Sequence, residues 1–423
     1  MLLALAAAGC GARQAPTPGA ARNATTGSAS TGAAGAPTLT PAGTPMLSPP
    51  AGTSTPSPTA GTPGSTPAPS TAATPTPGWT PLVSGPWSTV DSPSAGILYG
   101  VTCVDSGDCW AVGADFATDT TLIEQYTAGA WKVVTSPDPT DAGSSTDLRA
   151  VACAAATDCW AVGSYNPSDS MFSKPLIEQY SGSGWTIVPS ASAAGSSAQL
   201  IGVTCVSGDD CWAVGSVDLE TFIEQYTGSG WESVSSPSPS ATDSNVLNGV
   251  TCLSADDCWA VGQAGEGVLY EQYTGTAWSV VPSSPSSADV GWLTGVSCVS
   301  AADCWAVGYA AGVPLIERYA SGGWAIVDGP VPFGGDGIFP LWSVDCVSVD
   351  DCWAVGGSYD SNPVESFMEQ FSGSGWSAVT SPEPSGGSGL WGITCPGAGS
   401  CWAVGQSGGD PGDLDQTLIE QHS

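Results

Sequence analysis

"CWAVG" occupies Cys109–Gly113, and the same five letters return from Cys159, Cys211, Cys258, Cys304, Cys352 and Cys401. A strand with one wet face alternates apolar and polar residues, and this pentapeptide does not. An unbroken apolar run of strand length fits a strand buried on both faces. Trp110 and Val112 are then expected to face one neighbour and Cys109 and Ala111 the other, so that large side chains meet small ones. Gly113 is expected to let the strand end in a bulge or tight turn. Seven copies mean seven equivalent environments, which makes the motif architecture and not an active site.

Working outward, each copy belongs to a larger unit. Its preceding cysteines stand at 103, 153, 205, 252, 298, 346 and 395, a period of 46 to 52 residues. Periods of this size signal propeller blades or solenoid units. Four short apolar segments recur in each unit; the third reads "LIGVTCV" (200–206), "CWAVGSV" (211–217), "TFIEQYT" (221–227) and "GWESVSS" (230–236), separated by Gly, Ser, Asp and Pro turns. The last unit stops at "LIEQHS" (418–423) without its Trp-led fourth strand, and an orphan Trp-led segment, "PWSTVDS" (86–92), precedes the first unit. Trp87, Trp131, Trp185, Trp231, Trp278, Trp324 and Trp376 thus supply seven fourth strands for seven units. A closed ring removes the open edges of a linear stack. The expected fold is all-β: a seven-bladed β-propeller of four-stranded antiparallel blades over 85–423, closed by the N-terminal strand.

The cysteines follow a C-x5-C spacing: Cys103/Cys109, Cys153/Cys159, Cys205/Cys211, Cys252/Cys258, Cys298/Cys304, Cys346/Cys352 and Cys395/Cys401. Zinc is the competing use of paired cysteines, but the spacing is wrong for a zinc knuckle and the sole histidine, His422, is the penultimate residue. Disulfides between adjacent antiparallel strands are expected, and with them an oxidising compartment. The Asp before the second cysteine (Asp108, Asp158, Asp210, Asp257, Asp303, Asp351) reads as a turn residue bonding local backbone, with calcium binding as the less favoured use. The fifteenth cysteine is Cys10.

The rest of the chain has a different composition. Residues 1–10, "MLLALAAAGC", form an apolar run ending in small residues, as at the end of an export signal. They resemble a bacterial lipobox, which implies lipidation of Cys10 and a lipid-anchored, extracellular protein on the cell surface. Residues 11–84 are almost wholly Ala, Thr, Pro, Ser and Gly, a composition that buries no core and predicts a disordered linker. In polyproline-like form it would reach on the order of 200 Å. All 39 acids fall in 91–423 beside only Lys132, Arg149, Lys174 and Arg318, a formal charge there of 4 − 39 = −35. That surface repels phosphate backbones and excludes nucleic acid as a partner. It suits cations, basic protein patches or neutral sugars, or is simply a solvated acidic surface.

The repeats, running "DDCWAVG…LIEQY-G-GW…V-SP", resemble those of bacterial secreted and surface propellers in the broad Kelch and Asp-box group, over most of the chain. Propellers of this outline host hydrolases, lyases, lectins and scaffolds alike. The arginine cluster of sialidase-type sites is not present, since the ring holds only Arg149 and Arg318, and the histidines of galactose-oxidase-like copper sites are missing. No catalytic residue, metal or cofactor is therefore expected. The acids Glu124, Glu178, Glu224, Glu271, Glu317, Glu369 and Glu420 recur in "IEQY"-like strands and read as structural. Asp169, Glu266, Asp360 and Asp413 lie in variable loops and carry the alternative reading, a secreted glycoside hydrolase or lyase.

Function should sit where the repeats differ. The loops joining strand four to one and strand two to three share one face of a propeller, and here they vary most, as in 164–175, 331–340, 357–367 and 406–417. The second residue of each first strand varies too: Tyr99, Arg149, Ile201, Asn248, Thr294, Trp342 and Trp391. Ring closure would bring Trp342, Trp391, Tyr99 and Arg149 together at the channel mouth, with Trp292 just outside. Such an arc is a candidate platform for a glycan or a surface or extracellular protein; the plain alternative is that the rings merely pack. A monomer is expected, touching membrane only through its N-terminal lipid.

Overall fold

The computed structural model describes residues 87–191, 196–283, 291–331, 338–358, 364–382, 387–408 and 416–423. Cys10, the 11–84 linker, Asp360 and Asp413 lie outside the described residues, as do parts of the loops 331–340, 357–367 and 406–417. The rest forms twenty-eight strands in seven antiparallel four-stranded sheets. Blade one is β2 (Ile97–Asp105), β3 (Asp108–Asp115), β4 (Thr120–Thr127) and β5 (Ala130–Val134) in sequence order. Blade two starts with β6 (Ala142–Ala155) and β7 (Asp158–Pro167). Blade seven is built from both ends of the ring: β26 (Ser388–Gly397), β27 (Ser400–Ser407) and β28 (Gln416–His422) are completed by β1 (Trp87–Val90), with Trp87 opposite His422. The first strands touch their neighbours in an unbroken circle, from β2 to β6 and on round to β26, which returns to β2. They are the wall of the central channel.

The second strands carry the core as their composition requires. Trp110 and Val112 pack against Leu148, Cys159 and Ala161 of blade two, while Cys109 and Ala111 meet Trp402 and Val404 of blade seven. Every Trp of the motif meets an aromatic pair from the next blade, as Trp110 meets Tyr180 and Trp185 at centroid distances of 4.6 and 5.2 Å. At the closing seam His422 takes the tyrosine's place, 5.0 Å from Trp353 and 5.4 Å from Trp87. The lone histidine is an aromatic spacer at the closing seam.

Gly113 does not end its strand. β3 runs through it, paired with Leu98, and a Cβ there would lie 1.8 Å from the Ile97 carbonyl oxygen. The glycine is needed because strand one presses on it, and the bulge lies on strand one itself. The seven cysteine pairs are disulfide-bonded across the hairpin between strands one and two, with Cα atoms 4.0–4.1 Å apart. They mark an oxidising environment. Among the described residues no helix is long and apolar enough to cross a membrane.

The Asp before the second cysteine bonds elsewhere than the sequence suggests. Asp108 Oδ1 accepts from Gln125 Nε2 at 3.1 Å, and Asp158, Asp210 and Asp257 accept from Gln179, Gln225 and Gln272. Asp108 opens β3 on the same face as Trp110, whose partner on β4 is Gln125, so its carboxylate reaches a diagonal cross-strand neighbour and not the turn. In blade five Arg318 replaces the glutamine and grips Asp303 with two bonds of 2.7 and 2.8 Å.

The repeated glutamates staple the blades. Each is fully buried on strand three, and most accept a hydroxyl from the preceding blade, five residues after its fourth-strand Trp. Ser92 donates to Glu124, Ser136 to Glu178, Ser190 to Glu224, Ser236 to Glu271 and Ser381 to Glu420, at 2.7–3.1 Å. Between blades four and five the phenol of Tyr270 donates to Glu317 instead. Between blades five and six the serine position is Gly329, and among the described residues neither oxygen of Glu369 has a partner. Burial alone pushes the Glu369 carboxyl well above the usual range.

Gly329→Ser is therefore expected to supply the missing donor. Its Cβ would come within 2.7 Å of Ile316 Cδ1, the end of a flexible side chain, and 3.3 Å of Glu369 Oε2. The variant should gain about 1 kcal/mol, read as a higher thermal midpoint. A lower midpoint would mean that Ile316 cannot make room.

Candidate ligand site at the channel mouth

The variable position of strand one has a common backbone cause. In every blade the ladder between strands one and two skips one residue, and the skipped residues are Tyr99, Arg149, Ile201, Asn248, Thr294, Trp342 and Trp391. Each is the extra residue of a β-bulge, which re-aims a side chain away from the sheet's own alternation. All seven are partly exposed, whereas the Leu before each is wholly buried. A small residue follows each: Gly in five blades, Ala150 and Ser343 in the others. At Gly100 a Cβ would lie 2.9 Å from the Arg149 carbonyl oxygen, and at Gly392 2.8 Å from that of Tyr99. Adjacent bulges are thus packed against one another around the circle.

Four of the five candidate residues come together. Trp342 and Trp391 lie 4.7 Å apart at 33°, Trp391 meets Tyr99 edge-on at 5.8 Å, and the Arg149 guanidinium sits 4.2 Å over the Tyr99 ring. Arg149 is held in turn by Asp147 at 2.6 Å. This is one continuous ladder across blades six, seven, one and two. Trp292 is placed apart from it, tilted on Tyr309 at 4.9 Å within its own blade. The opposite half of the circle is tied down: Asn248 donates to the Leu293 carbonyl at 2.7 Å, and Thr294 to those of Leu341 and Val307 at 2.7 and 3.0 Å. The mouth has an aromatic, cationic side and a quiet side.

Two residues that sequence reading passed over shape this wall. Asp147 orients Arg149 and also accepts from Ser164 at 3.3 Å. Asp345 stands in the wall of blade six where other blades carry Thr, Ser or Ala. It accepts from the Cys395 and Cys346 amides at 2.7 and 2.9 Å and from Ser297 at 3.3 Å, joining blades five, six and seven beneath the ladder. An acid breaking a repeated position was the signal available for it.

No protein-family model and no curated protein sequence matches the chain. Solved propellers do. A structure of YCF48 bound to D1 peptide is similar at TM-score 0.54 and 13% identity, covering 81% of this chain and 98% of that one. The WD40 propeller domain of Doa1 is similar at TM-score 0.52 and 12% identity, over 79% of this chain and 96% of that one. The GH74 xyloglucanase from Xanthomonas campestris is similar at TM-score 0.55 and 13% identity, over 78% of this chain and 55% of that one. At such identities the likeness is one of fold. It spans an enzyme and proteins described by what they bind or by their propeller alone.

Proposed function

We propose that the protein is a non-catalytic recognition propeller of the bacterial surface type, in the broad Kelch and Asp-box group, monomeric and held outside the cell by a lipid on Cys10 through the 11–84 linker. Its ligand site is the arc Trp342–Trp391–Tyr99–Arg149. The observation that carries this reading is the asymmetry of the mouth. Seven equivalent bulges carry seven partly exposed side chains, yet rings and a cation gather on one side while Asn248 and Thr294 are bonded to neighbouring backbone. The bulge is the same in all seven blades, so the backbone alone gives no reason for such a division.

A protein segment is favoured over a glycan. Sugars stack on open ring faces, and here Trp342 and Trp391 turn faces to each other while Arg149 covers Tyr99. What remains is edges, grooves and an oriented guanidinium, which suit peptide side chains and carbonyls. The peptide carried by the similar YCF48 structure is compatible with this choice. The test is a peptide and glycan array probed with the oxidised full-length chain beside Trp342→Ala/Trp391→Ala. Binding of peptides, lost by at least about ten-fold in the still-folded variant, is the expected result. Glycan binding alone would replace the ligand class, and turnover of any glycan would favour the hydrolase or lyase reading.

A further inference from the structure

Blade two departs from the others beside Arg149. Its first strand, β6, has 14 residues against 8 to 10 in the other blades, and its second, β7, has 10 against 7 or 8. The surplus forms a finger in which Ala142 pairs with Pro167 and Ser144 with Asn166. One further bulge lies between these two pairs and another, between Ser144 and Asp147, separates them from the ring ladder, with Ser145 in the left-handed region at φ 53°, so the finger takes its own direction. It is well braced: Lys174 bonds Asp141 at 2.9 Å and lies 5.6 Å over the Tyr165 ring, and Ser173 donates to Asn166 at 2.7 Å.

Three features of the finger point outward. β6 is an edge strand of its sheet, and Gly143, Ser144 and Ser145 are exposed. An open cleft of about 450 Å³ is lined by Gly143, Ser144, Asn166, Pro167, Ser168 and Met171, among others. At its rim Met171 is 96% exposed and Phe172 48%, residue types that interfaces favour and free surfaces avoid. An edge strand displays backbone donors and acceptors that only another backbone matches in register. The occupant is therefore a polypeptide; Lys174 and Arg149 balance Asp141 and Asp147 at the finger itself, and the formal charge of −33 over the whole chain steers one of opposite sign toward it.

We infer that the finger is the second contact of the mouth site: an extended, Lys/Arg-bearing segment of a partner protein pairs beside Ala142–Ser144, rests an apolar side chain on Met171 and Phe172, and continues along β6 to Arg149. The inference rests on the mouth reading, since Arg149 belongs to both surfaces. It is tested with a display library of random peptides selected on the oxidised full-length protein, followed by hydrogen exchange of the complex. The selected peptides should be rich in Lys and Arg and should slow amide exchange at Gly143–Ser145. They should bind Met171→Ser/Phe172→Ser about ten-fold more weakly, a variant whose changes are at exposed positions. Peptides that lose affinity for Trp342→Ala/Trp391→Ala yet ignore the finger variant and leave its amides unprotected would overturn the finger and spare the mouth. Selection of no peptide would overturn both.

Discussion

Raising the pH from about 5 to 9 is expected to destabilise the protein continuously, with its greatest thermal stability on the acid side of neutrality. The cause is the ring of staples. Burial raises the carboxyls of Glu124, Glu178, Glu224, Glu271, Glu317 and Glu369, and the hydroxyl bonds to five of them offset only part of that rise. Glu178 is pushed to about 8 and Glu271 to about 7. In the unfolded chain a glutamate titrates near 4.3. Between that value and the folded one the native state holds more protons than the unfolded state, so stability falls as pH rises and levels off above the folded value. For Glu178, a change from near 4.3 to about 8 corresponds to an upper figure of roughly 5 kcal/mol. Repulsion among the surface acids acts in the same direction. Denaturant unfolding at a series of pH values measures the slope. Glu178→Gln, which keeps an acceptor for Ser136 without a charge to bury, should flatten the profile between about 5 and 8. A profile already flat in the wild type, or one rising toward pH 8, would mean that the staples are charged in the native state.

Reduction should have the larger effect. Each C-x5-C bridge closes a short loop, and in the chain-entropy model such a closure is worth about 2 kcal/mol, so seven together contribute on the order of 15 kcal/mol. That equals or exceeds the whole stability of an ordinary domain. The cysteines on strand two are buried and those on strand one half-buried, so denaturant is used to give the reductant full access to every bridge. Once they are reduced under denaturant and the denaturant is removed, the chain is expected to stay unfolded at 37 °C. The buried tryptophans report this as a red shift of fluorescence, with loss of near-ultraviolet dichroism. Recovery of a near-native thermal midpoint by the reduced chain would show that sheet packing alone holds the ring.

The architecture was legible because every element of it is written seven times. "CWAVG" could be read as a doubly buried strand from its lack of alternation, and the displaced Trp87 segment as the closing strand from simple bookkeeping of fourth strands. What failed were inferences from one residue to its nearest backbone. Gly113 looks like a strand end because glycine is common there, but strand one approaches it too closely for a side chain. Asp108 looks like a turn residue because it directly follows a turn, but its partner is Gln125 across the sheet. The bulges were not legible from periodicity, although a buried Leu, a variable residue and a small residue recur together at each.

The mouth was legible in part. Ring closure predicts that Trp342, Trp391, Tyr99 and Arg149 are neighbours, and they are. Whether rings show faces or edges depends on torsions that spacing does not encode, so the sequence left a platform and plain packing both open. Trp292, expected just outside the arc, rests its ring on Tyr309 within its own blade. The finger went unread because "DAGSST" at Asp141–Thr146 has the composition of a turn, and its strand character comes only from pairing with β7.

The central claim is that one side of a seven-fold circle has become a recognition surface. The most direct measurement takes a peptide found by array or display and determines its affinity for seven alanine variants, one at each bulge: Tyr99, Arg149, Ile201, Asn248, Thr294, Trp342 and Trp391. The account predicts losses of about 1–3 kcal/mol at Tyr99, Arg149, Trp342 and Trp391, and changes within about two-fold at Ile201, Asn248 and Thr294. Equal losses all round the circle, or losses confined to the quiet half, would contradict it.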